Sequence, residues 1–265
     1  MSTDTKIHYT PCRCDSKCRK QCPCERRDTR CEKYCGCSKQ CNNKYRGCYC
    51  VAERCRSNDC PCFVAERECD PDICRNCWVS YGDDTTGEPH KTRSCYNMNI
   101  FDGPSKKVYR GRSKVAGWGA FTTETISKDE FIGEYTGELV LQEVALEKQG
   151  DHPCTSYIFD LDDKYVIDAQ HEGGVLKYVN HASNPNCYSK IIFVGGRRRI
   201  GFFATWNIEP YEELFIDYGP EFSPVWENIN KVNHSPDGSK AAEPNSRQLR
   251  RRCATKLANE DAAPT

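Results

Sequence analysis

Between Val108 and about Phe222, apolar and β-branched residues alternate with polar ones in brief runs punctuated by glycine. A period of two turns one side of each run toward a core, so these runs are predicted to be strands. They are Val108–Arg112, Ala120–Thr123, Phe131–Tyr135, Glu138–Leu141, Ser156–Leu161, Tyr165–Asp168, Tyr188–Val194, Ile200–Ala204 and Glu213–Asp217. Two short helices are predicted, Gln142–Gln149 and Gly174–Val179. Strands so short and so many predict a mostly β fold of several small sheets rather than one broad sheet. No Gly-x-Gly-x-x-Gly follows a strand, which argues against a Rossmann-type nucleotide site. Upstream the alternation fails: aliphatic residues are too sparse there for an ordinary core, and Tyr81–His90, rich in Gly, Asp and Thr, reads as a loop. Beyond Asn228, Ser, Pro, Ala, Asn and charged residues dominate, and disorder is expected.

The chain has 265 residues, a formal net charge of zero and 21 cysteines. That length fits two compact units and a tail. The expected boundaries are a cysteine-rich module over 9–96, a linker over 97–107, a β domain over 108–222 and a polar tail over 223–265. Nothing approaches eighteen consecutive apolar residues, so no membrane-spanning helix is predicted. In the tail, Arg247-Gln248-Leu249-Arg250-Arg251-Arg252 reads either as a nuclear-import or phosphate-binding patch or as plain solvated chain.

Seventeen of the 21 cysteines lie between Cys12 and Cys77, and with Cys95 they form two runs of nine. The first run, lobe 12–41, is Cys12, Cys14, Cys18, Cys22, Cys24, Cys31, Cys35, Cys37 and Cys41. The second, lobe 48–95, is Cys48, Cys50, Cys55, Cys60, Cys62, Cys69, Cys74, Cys77 and Cys95. Each opens C-x-C, continues C-P-C and waits six residues for the next cysteine, which marks an internal duplication. Two chemistries compete for these thiols. Disulfides need an oxidising compartment, and Met1–Thr10 lacks the apolar core of a signal peptide. Cysteines one residue apart rarely bridge each other, whereas thiolates at C-x-C spacing can share a metal. Zinc is the favoured reading. Nine is not a multiple of four, but six terminal and three bridging thiolates supply the twelve bonds that three tetrahedral ions need. Each lobe is therefore expected to hold a trinuclear cluster, about six zinc ions in all. Metal binding then replaces a hydrophobic core as the source of folding energy.

Charge separates the two lobes. From Arg13 to Arg46 there are eleven Lys/Arg against four Asp/Glu, and from Val51 to Cys77 four against six. Part of the first surplus offsets the anionic cluster. The remainder either meets nucleic-acid phosphates or is a solvated surface.

Four segments carry a family resemblance: Ala116-Gly117-Trp118-Gly119, Gly133-Glu134-Tyr135-Thr136-Gly137-Glu138, Asn180-His181-Ala182-Ser183-Asn184-Pro185-Asn186-Cys187 and Glu213-Leu214-Phe215-Ile216-Asp217-Tyr218. Together, in this order, the chain resembles a SET-domain protein lysine methyltransferase. The duplicated cysteine module, with the phrase Arg67-Glu68-Cys69-Asp70-Pro71-Asp72-Ile73-Cys74, resembles the CXC (pre-SET) module of the Enhancer of zeste family, the catalytic subunit of Polycomb repressive complex 2. The resemblance spans roughly residues 9–222. It implies S-adenosyl-L-methionine as methyl donor, lysine 27 of histone H3 in chromatin as acceptor, a nuclear location and transcriptional repression. It also implies the SET topology, in which the Asn180–Cys187 segment and the later chain form a pseudoknot. Family members carry a long N-terminal region that engages the other complex subunits, so a chain beginning at the zinc module is expected to be a catalytic fragment.

Site residues follow by matching positions. Gly117, Trp118 and Gly119 suit a loop where backbone lies against the donor, glycine having no Cβ to hold a ligand away. Asn180 and His181 match the donor-binding pair. Tyr218 matches the catalytic tyrosine, expected to orient a polarised methyl by electrostatics rather than as a base. Tyr135 matches the tyrosine that holds the acceptor amine. Tyr157 and Phe159 alternate around Ile158, share a strand face and are expected to wall the lysine channel. Ile216 stands where such enzymes place an aromatic that limits product methylation, so di- and trimethylation are expected to fit. After Tyr218 only Cys253 remains, so no post-SET zinc is expected, and Cys187 and Cys154 are expected to be buried free thiols. Two alternatives stay open: a zinc-dependent DNA- or chromatin-binding module with an inactive or autoinhibited SET domain, and a SET enzyme for another histone lysine.

Overall fold

The computed structural model describes residues 10–51, 54–77, 95–115, 117–151 and 157–219. The Tyr81–His90 loop, Cys154 and the tail with Arg247–Arg252 and Cys253 lie outside the described residues. Two compact units result. The first comprises Met1–Pro104 and Ile191–Arg199, the second Ser105–Lys190 and Ile200–Thr265.

In the first unit the duplication of cysteine spacing is a duplication of backbone. Helices α1 (Pro23–Arg26) and α2 (Pro61–Val64) each start inside a C-P-C, with proline supplying a helical φ where an N–H would go unused. Each is followed by a left-handed residue, Asp28 at φ 53° and Glu66 at φ 51°. The chain then folds back, Thr29 N–H onto Cys24 O at 2.8 Å and Arg67 N–H onto Cys62 O at 2.9 Å. Gly36 N–H to Cys12 O and Arg75 N–H to Cys48 O, both 2.9 Å, complete the correspondence.

Unequal residues join the two lobes inside this unit. Arg67 of the second lobe forms a two-pronged ion pair with buried Glu32 of the first, Nη1–Oε1 and Nη2–Oε2 both at 2.8 Å. Its guanidinium lies between the rings of Tyr45 (3.8 Å) and Phe193 (4.4 Å). Phe193 also packs against the first lobe's cysteines. Lys33 adds a pair to Asp70 at 3.0 Å and another to Asp72. The stretch 97–107, expected as a linker, opens with α3 (Asn99–Asp102), whose first amides are capped by Glu68: Ile100 N–H at 2.6 Å and Phe101 N–H at 2.8 Å.

The second half of the chain contains β1 (Val108–Arg112), β2 (Trp118–Thr122), β3 (Phe131–Tyr135), β4 (Glu138–Leu141), α4 (Gln142–Asp151), β5 (Ile158–Asp160), β6 (Tyr165–Asp168), β7 (Asn180–His181), β8 (Cys187–Val194), β9 (Arg197–Ala204) and β10 (Phe215–Ile216). Among the described residues they form four small sheets, β1-β2, β3-β9-β8, β4-β6-β5 and β10-β7, a mostly β fold of several small sheets as expected. Alternation decides the packing. Tyr157 and Phe159 turn toward the main core of Ile132, Tyr135, Phe202, Leu214 and Ile216, whereas Ile158 turns to Val140, Ala145 and Val166.

Several predicted elements shift for local reasons. The glycine-rich strand begins at Trp118 rather than Ala120, because its pairing with β1 starts at Arg112↔Trp118. Strand β9 begins three residues early, since Gly195 and Gly196 at φ 55° and 89° make a tight turn that lets pairing run to the tip of the β8–β9 hairpin. The helix expected over Gly174–Val179 is one 3₁₀ turn, Val175–Tyr178. The strand expected over Glu213–Asp217 shrinks to β10, and β7 was not anticipated at all. Those two pair only with each other, in parallel across more than thirty residues, a contact without a local pattern.

Replacing Glu32 with alanine leaves the Arg67 guanidinium buried without its carboxylate. The expected cost is about 3–5 kcal/mol in urea unfolding. A loss comparable to that of an exposed surface pair would show that Arg67 does not depend on Glu32.

Candidate functional site

The cysteine sulfurs gather in groups of four that could hold a metal ion. Three sets of four lie close together in the first lobe: Cys12, Cys14, Cys18 and Cys22; Cys12, Cys24, Cys31 and Cys35; and Cys12, Cys18, Cys31 and Cys37. Cys12, Cys18 and Cys31 recur, and their sulfurs form a triangle with edges of 3.7, 3.6 and 4.0 Å. Tetrahedral zinc with Zn–S near 2.3 Å separates its sulfurs by about 3.8 Å. In the second lobe Cys48 belongs to two sets, with Cys62, Cys69 and Cys74 and with Cys50, Cys55 and Cys60. Its sulfur lies 3.8 Å from that of Cys55 and 3.7 Å from that of Cys69. Burial pushes the Cys18, Cys31 and Cys55 thiols far above their usual range. A shared divalent cation is what keeps such sulfurs ionised, so the donor set fits zinc. Among the described residues no disulfide joins two cysteines.

Two residues that the cysteine count overlooked support these sulfurs. Asn43 Nδ2 donates to Cys31 Sγ at 3.4 Å and to Thr29 O at 2.9 Å. Asn97 Nδ2 donates to Cys69 Sγ at 3.6 Å and to Arg67 O at 2.8 Å. Each asparagine stands two places after the ninth cysteine of its run, and its carbonyl accepts the Cys31 or Cys69 N–H at 2.9 Å. The signal was legible as C-x-N at the end of both runs. Such partners orient a ligand sulfur and temper its charge.

The second constellation is built on the β7–β10 pair. Asn186 holds the incoming strand on both sides: its Nδ2 donates to Glu213 O at 2.8 Å, and its Oδ1 accepts Phe215 N–H at 2.7 Å. Ala182 N–H reaches Ile216 O at 3.2 Å. This brings Asn180 and His181 beside the Phe215–Tyr218 segment. Asn180 Nδ2 donates to Trp118 O at 3.0 Å and to Glu213 Oε1 at 2.8 Å. Gly119 makes room for that carboxylate, since a Cβ there would come within 2.3 Å of Glu213 Oε1. Gly117 adopts φ 41°. The Trp118 ring has Arg112 at 4.3 Å and Arg110 at 4.2 Å, its direct and diagonal neighbours across the β1–β2 pair.

His181 is buried, and Nδ1 accepts the Tyr218 N–H at 3.1 Å. Its proton therefore sits on Nε2 in the neutral ring. Burial lowers its pKa, against the opposing pull of Asp217, whose Oδ1 lies 3.8 Å from Nδ1. Tyr218 leaves 45% of its surface exposed, yet its hydroxyl points inward and donates to Val179 O at 2.7 Å. Tyr135 is buried and its hydroxyl donates to Tyr157 O at 2.6 Å. Burial pushes both phenols up, and a charge on Tyr218 or Tyr157 would raise Tyr135 further. Tyr135 packs on Phe159 (5.2 Å) and Phe202 (5.9 Å), and Tyr157 meets Tyr178 edge-on at 6.0 Å. Ile216 is buried in the same core. The anticipated donor residues thus cluster around Asn180, and Tyr135, Tyr157, Phe159 and Ile216 share one apolar cluster. Cys187 is a buried thiol pushed up to about 12 by desolvation.

The SET domain family matches residues 117–219 and the CXC domain family residues 47–79. The chain is 52% identical over 239 residues to the histone-lysine N-methyltransferase EZA1 of Arabidopsis thaliana, covering 88% of this chain and 27% of that protein. It resembles the solved structure of an active polycomb repressive complex 2 in the stimulated state, with TM-score 0.71 and 31% identity over 82% of this chain and 30% of that one. A structure of ctPRC2 in complex with H3K27me3 aligns with TM-score 0.64 and 31% identity over 73% of this chain and 25% of that one. The chain spans about a quarter of the length of the curated relatives it matches.

Because the His181 pKa is depressed in the folded protein, the unfolded chain takes up that proton first as pH falls. The stabilising contribution is complete above about pH 6.5, the ordinary histidine value, and shrinks below it. His181→Gln, which keeps an acceptor for the Tyr218 N–H, is expected to show a smaller loss of urea midpoint between pH 7.5 and 5.5 than the parent. Identical losses would remove His181 from the pH dependence.

Proposed function

The chain belongs to the Enhancer of zeste family of CXC- and SET-domain histone-lysine N-methyltransferases, and from that membership we propose that it methylates lysine 27 of histone H3, up to the trimethyl state, with S-adenosyl-L-methionine as donor. The observation that carries this reading is a pair of phenols whose protons are committed to main-chain carbonyls. Tyr218 gives its proton to Val179 O and Tyr135 gives its own to Tyr157 O. Each oxygen then turns lone pairs, not a proton, to its surroundings.

When bound, the donor supplies an electrophilic methyl on a cationic sulfur. The chain's task is to hold the amine in line and in its neutral form. Desolvation by Tyr135, Tyr157, Phe159 and Ile216 disfavours an ammonium ion and lowers the amine's pKa. The Tyr135 oxygen accepts an amine N–H and so directs the nitrogen lone pair. The Tyr218 oxygen would present a fixed dipole to the positively polarised methyl. Because both phenols resist ionisation, neither serves as the base. Asn180, His181 and the Gly117–Gly119 segment would hold the donor, whose positive charge would suit the nearby Glu213 carboxylate. Ile216 contributes no hydroxyl and little bulk, which leaves room for an amine already carrying methyl groups.

The eighteen cysteines are read as two trinuclear zinc clusters. Cys12, Cys18 and Cys31 would be the shared ligands of the first, and Cys48, Cys55 and Cys69, their counterparts by position, those of the second. Histone H3 and the other subunits of Polycomb repressive complex 2 are the proposed partners, in the nucleus, with repression of transcription as the outcome.

Assayed in the full-length protein with its partner subunits, Tyr218→Phe is expected to cut methyl transfer to an H3 peptide by about 100-fold. Donor affinity, followed by calorimetry, is expected to hold. A peptide with arginine in place of lysine 27 should accept no methyl. Undiminished turnover by the variant, or equal methylation of the arginine peptide, would overturn the catalytic or the substrate assignment respectively. For Ile216→Tyr, mass spectrometry should show monomethyl product gaining at the expense of trimethyl; an unchanged distribution rejects Ile216 as the determinant of product state.

A further inference from the structure

Duplication has given the first unit two copies of one backbone edge, and only one has a strand laid against it. In the second lobe the edge is Glu66–Glu68. Phe193 N–H donates to Glu66 O at 2.9 Å and Glu68 N–H to Phe193 O at 3.0 Å, a parallel bridge centred on Arg67. Counting back equally from Cys69 and Cys31 places Asp28–Arg30 at the same position in the first lobe. The backbone agrees, with a left-handed residue at φ 53° or 51° and the next N–H returned to Cys24 O or Cys62 O. Among the described residues, nothing pairs with the Asp28 carbonyl or the Arg30 N–H. Arg30 is exposed where Glu68 is buried.

The charge balance differs between the copies. Glu66 and Glu68 flank the occupied edge, and the hairpin laid on it leads into Arg197, Arg198 and Arg199, the last of which attracts Glu68. On the open edge Asp28 keeps the acidic character of Glu66, but Arg30 stands where Glu68 does, and exposed Arg26 and Arg27 stand where Val64 and Ala65 do, so the edge carries a net positive charge. We propose that Asp28–Arg30 is a docking edge for an extended acidic peptide of a partner protein, taken up by parallel strand addition as the second lobe takes its own hairpin. Complementary charge favours an acidic segment. A nucleic-acid backbone meets the arginines equally well, but it brings no regularly spaced N–H to the Asp28 carbonyl while accepting from the Arg30 N–H. A peptide supplies both.

The test uses the zinc-loaded full chain and a synthetic probe, an acetylated nine-residue peptide alternating glutamate and valine around a central phenylalanine. Saturable binding is expected, with hydrogen exchange at the Arg30 amide slowed about tenfold or more when the new bond closes. The same peptide with alternate amides N-methylated is expected not to bind. Combined Arg26→Glu, Arg27→Glu and Arg30→Glu should weaken the probe about tenfold or more; the N-methylated peptide probes the same edge without any variant that must fold. No saturable binding, equal binding of the N-methylated peptide, or an Arg30 amide already protected in the free chain overturns the proposal. A DNA duplex that displaces the probe and protects Arg30 better would identify the patch as a phosphate surface, and overturns it too.

Discussion

Crowded sulfur is the constraint on which the first unit rests. Among the described residues its two apolar clusters are cysteines joined by Met98 and by parts of Tyr45, Phe63 and Phe193, too little apolar surface for a fold of this length. Sulfurs 3.6 to 4.0 Å apart at Cys12, Cys18 and Cys31 lie at the spacing that ligands of a tetrahedral zinc ion take. The other features of the unit serve that arrangement. Proline-led turns bend the chain within C-P-C, left-handed Asp28 and Glu66 return it, and Asn43 and Asn97 donate to the sulfurs of Cys31 and Cys69.

Duplication kept the cysteine positions and their backbone turns and let the rest diverge. Thr29 and Arg67 occupy the same backbone position, yet only Arg67 reaches across to Glu32 and stacks between Tyr45 and Phe193. Glu68 became a helix cap, while its counterpart Arg30 stayed in solvent. A ligand sulfur tolerates few changes because tetrahedral geometry fixes its place. A residue beside it is free to acquire a new partner.

The second unit solves a different problem, how to bring chemistry from distant segments into one place. Two residues of β7 and two of β10 form too little pairing to hold alone. Asn186 and the backbone bond from Ala182 fasten the same segments, and Leu214 N–H reaches Ala120 O at 2.8 Å from the other side. From this small knot, His181 fixes the Tyr218 backbone and Tyr218 in turn fixes its hydroxyl on Val179. The Tyr218 phenol is therefore held at both ends, by the His181 ring at its backbone and by the Val179 carbonyl at its hydroxyl, which limits how far it can stray.

By itself the sequence determined the two nine-cysteine runs, the strands of the β domain with a clear period of two, and the family from four ordered motifs. These are local or countable properties, and local spacing survives folding unchanged. Tertiary structure decided the rest. Nothing in the alternation of residues marks Asn180–His181 as a strand, because its partner lies more than thirty residues away. Nor did the motif around Gly119 announce Glu213, whose carboxylate takes the space a side chain would fill and meets Asn180. Which sulfurs recur between neighbouring sets, and which of two equivalent edges receives a strand, likewise depended on positions in space. Contacts between segments far apart in the chain carry no period and no spacing, so only the folded backbone could choose among them.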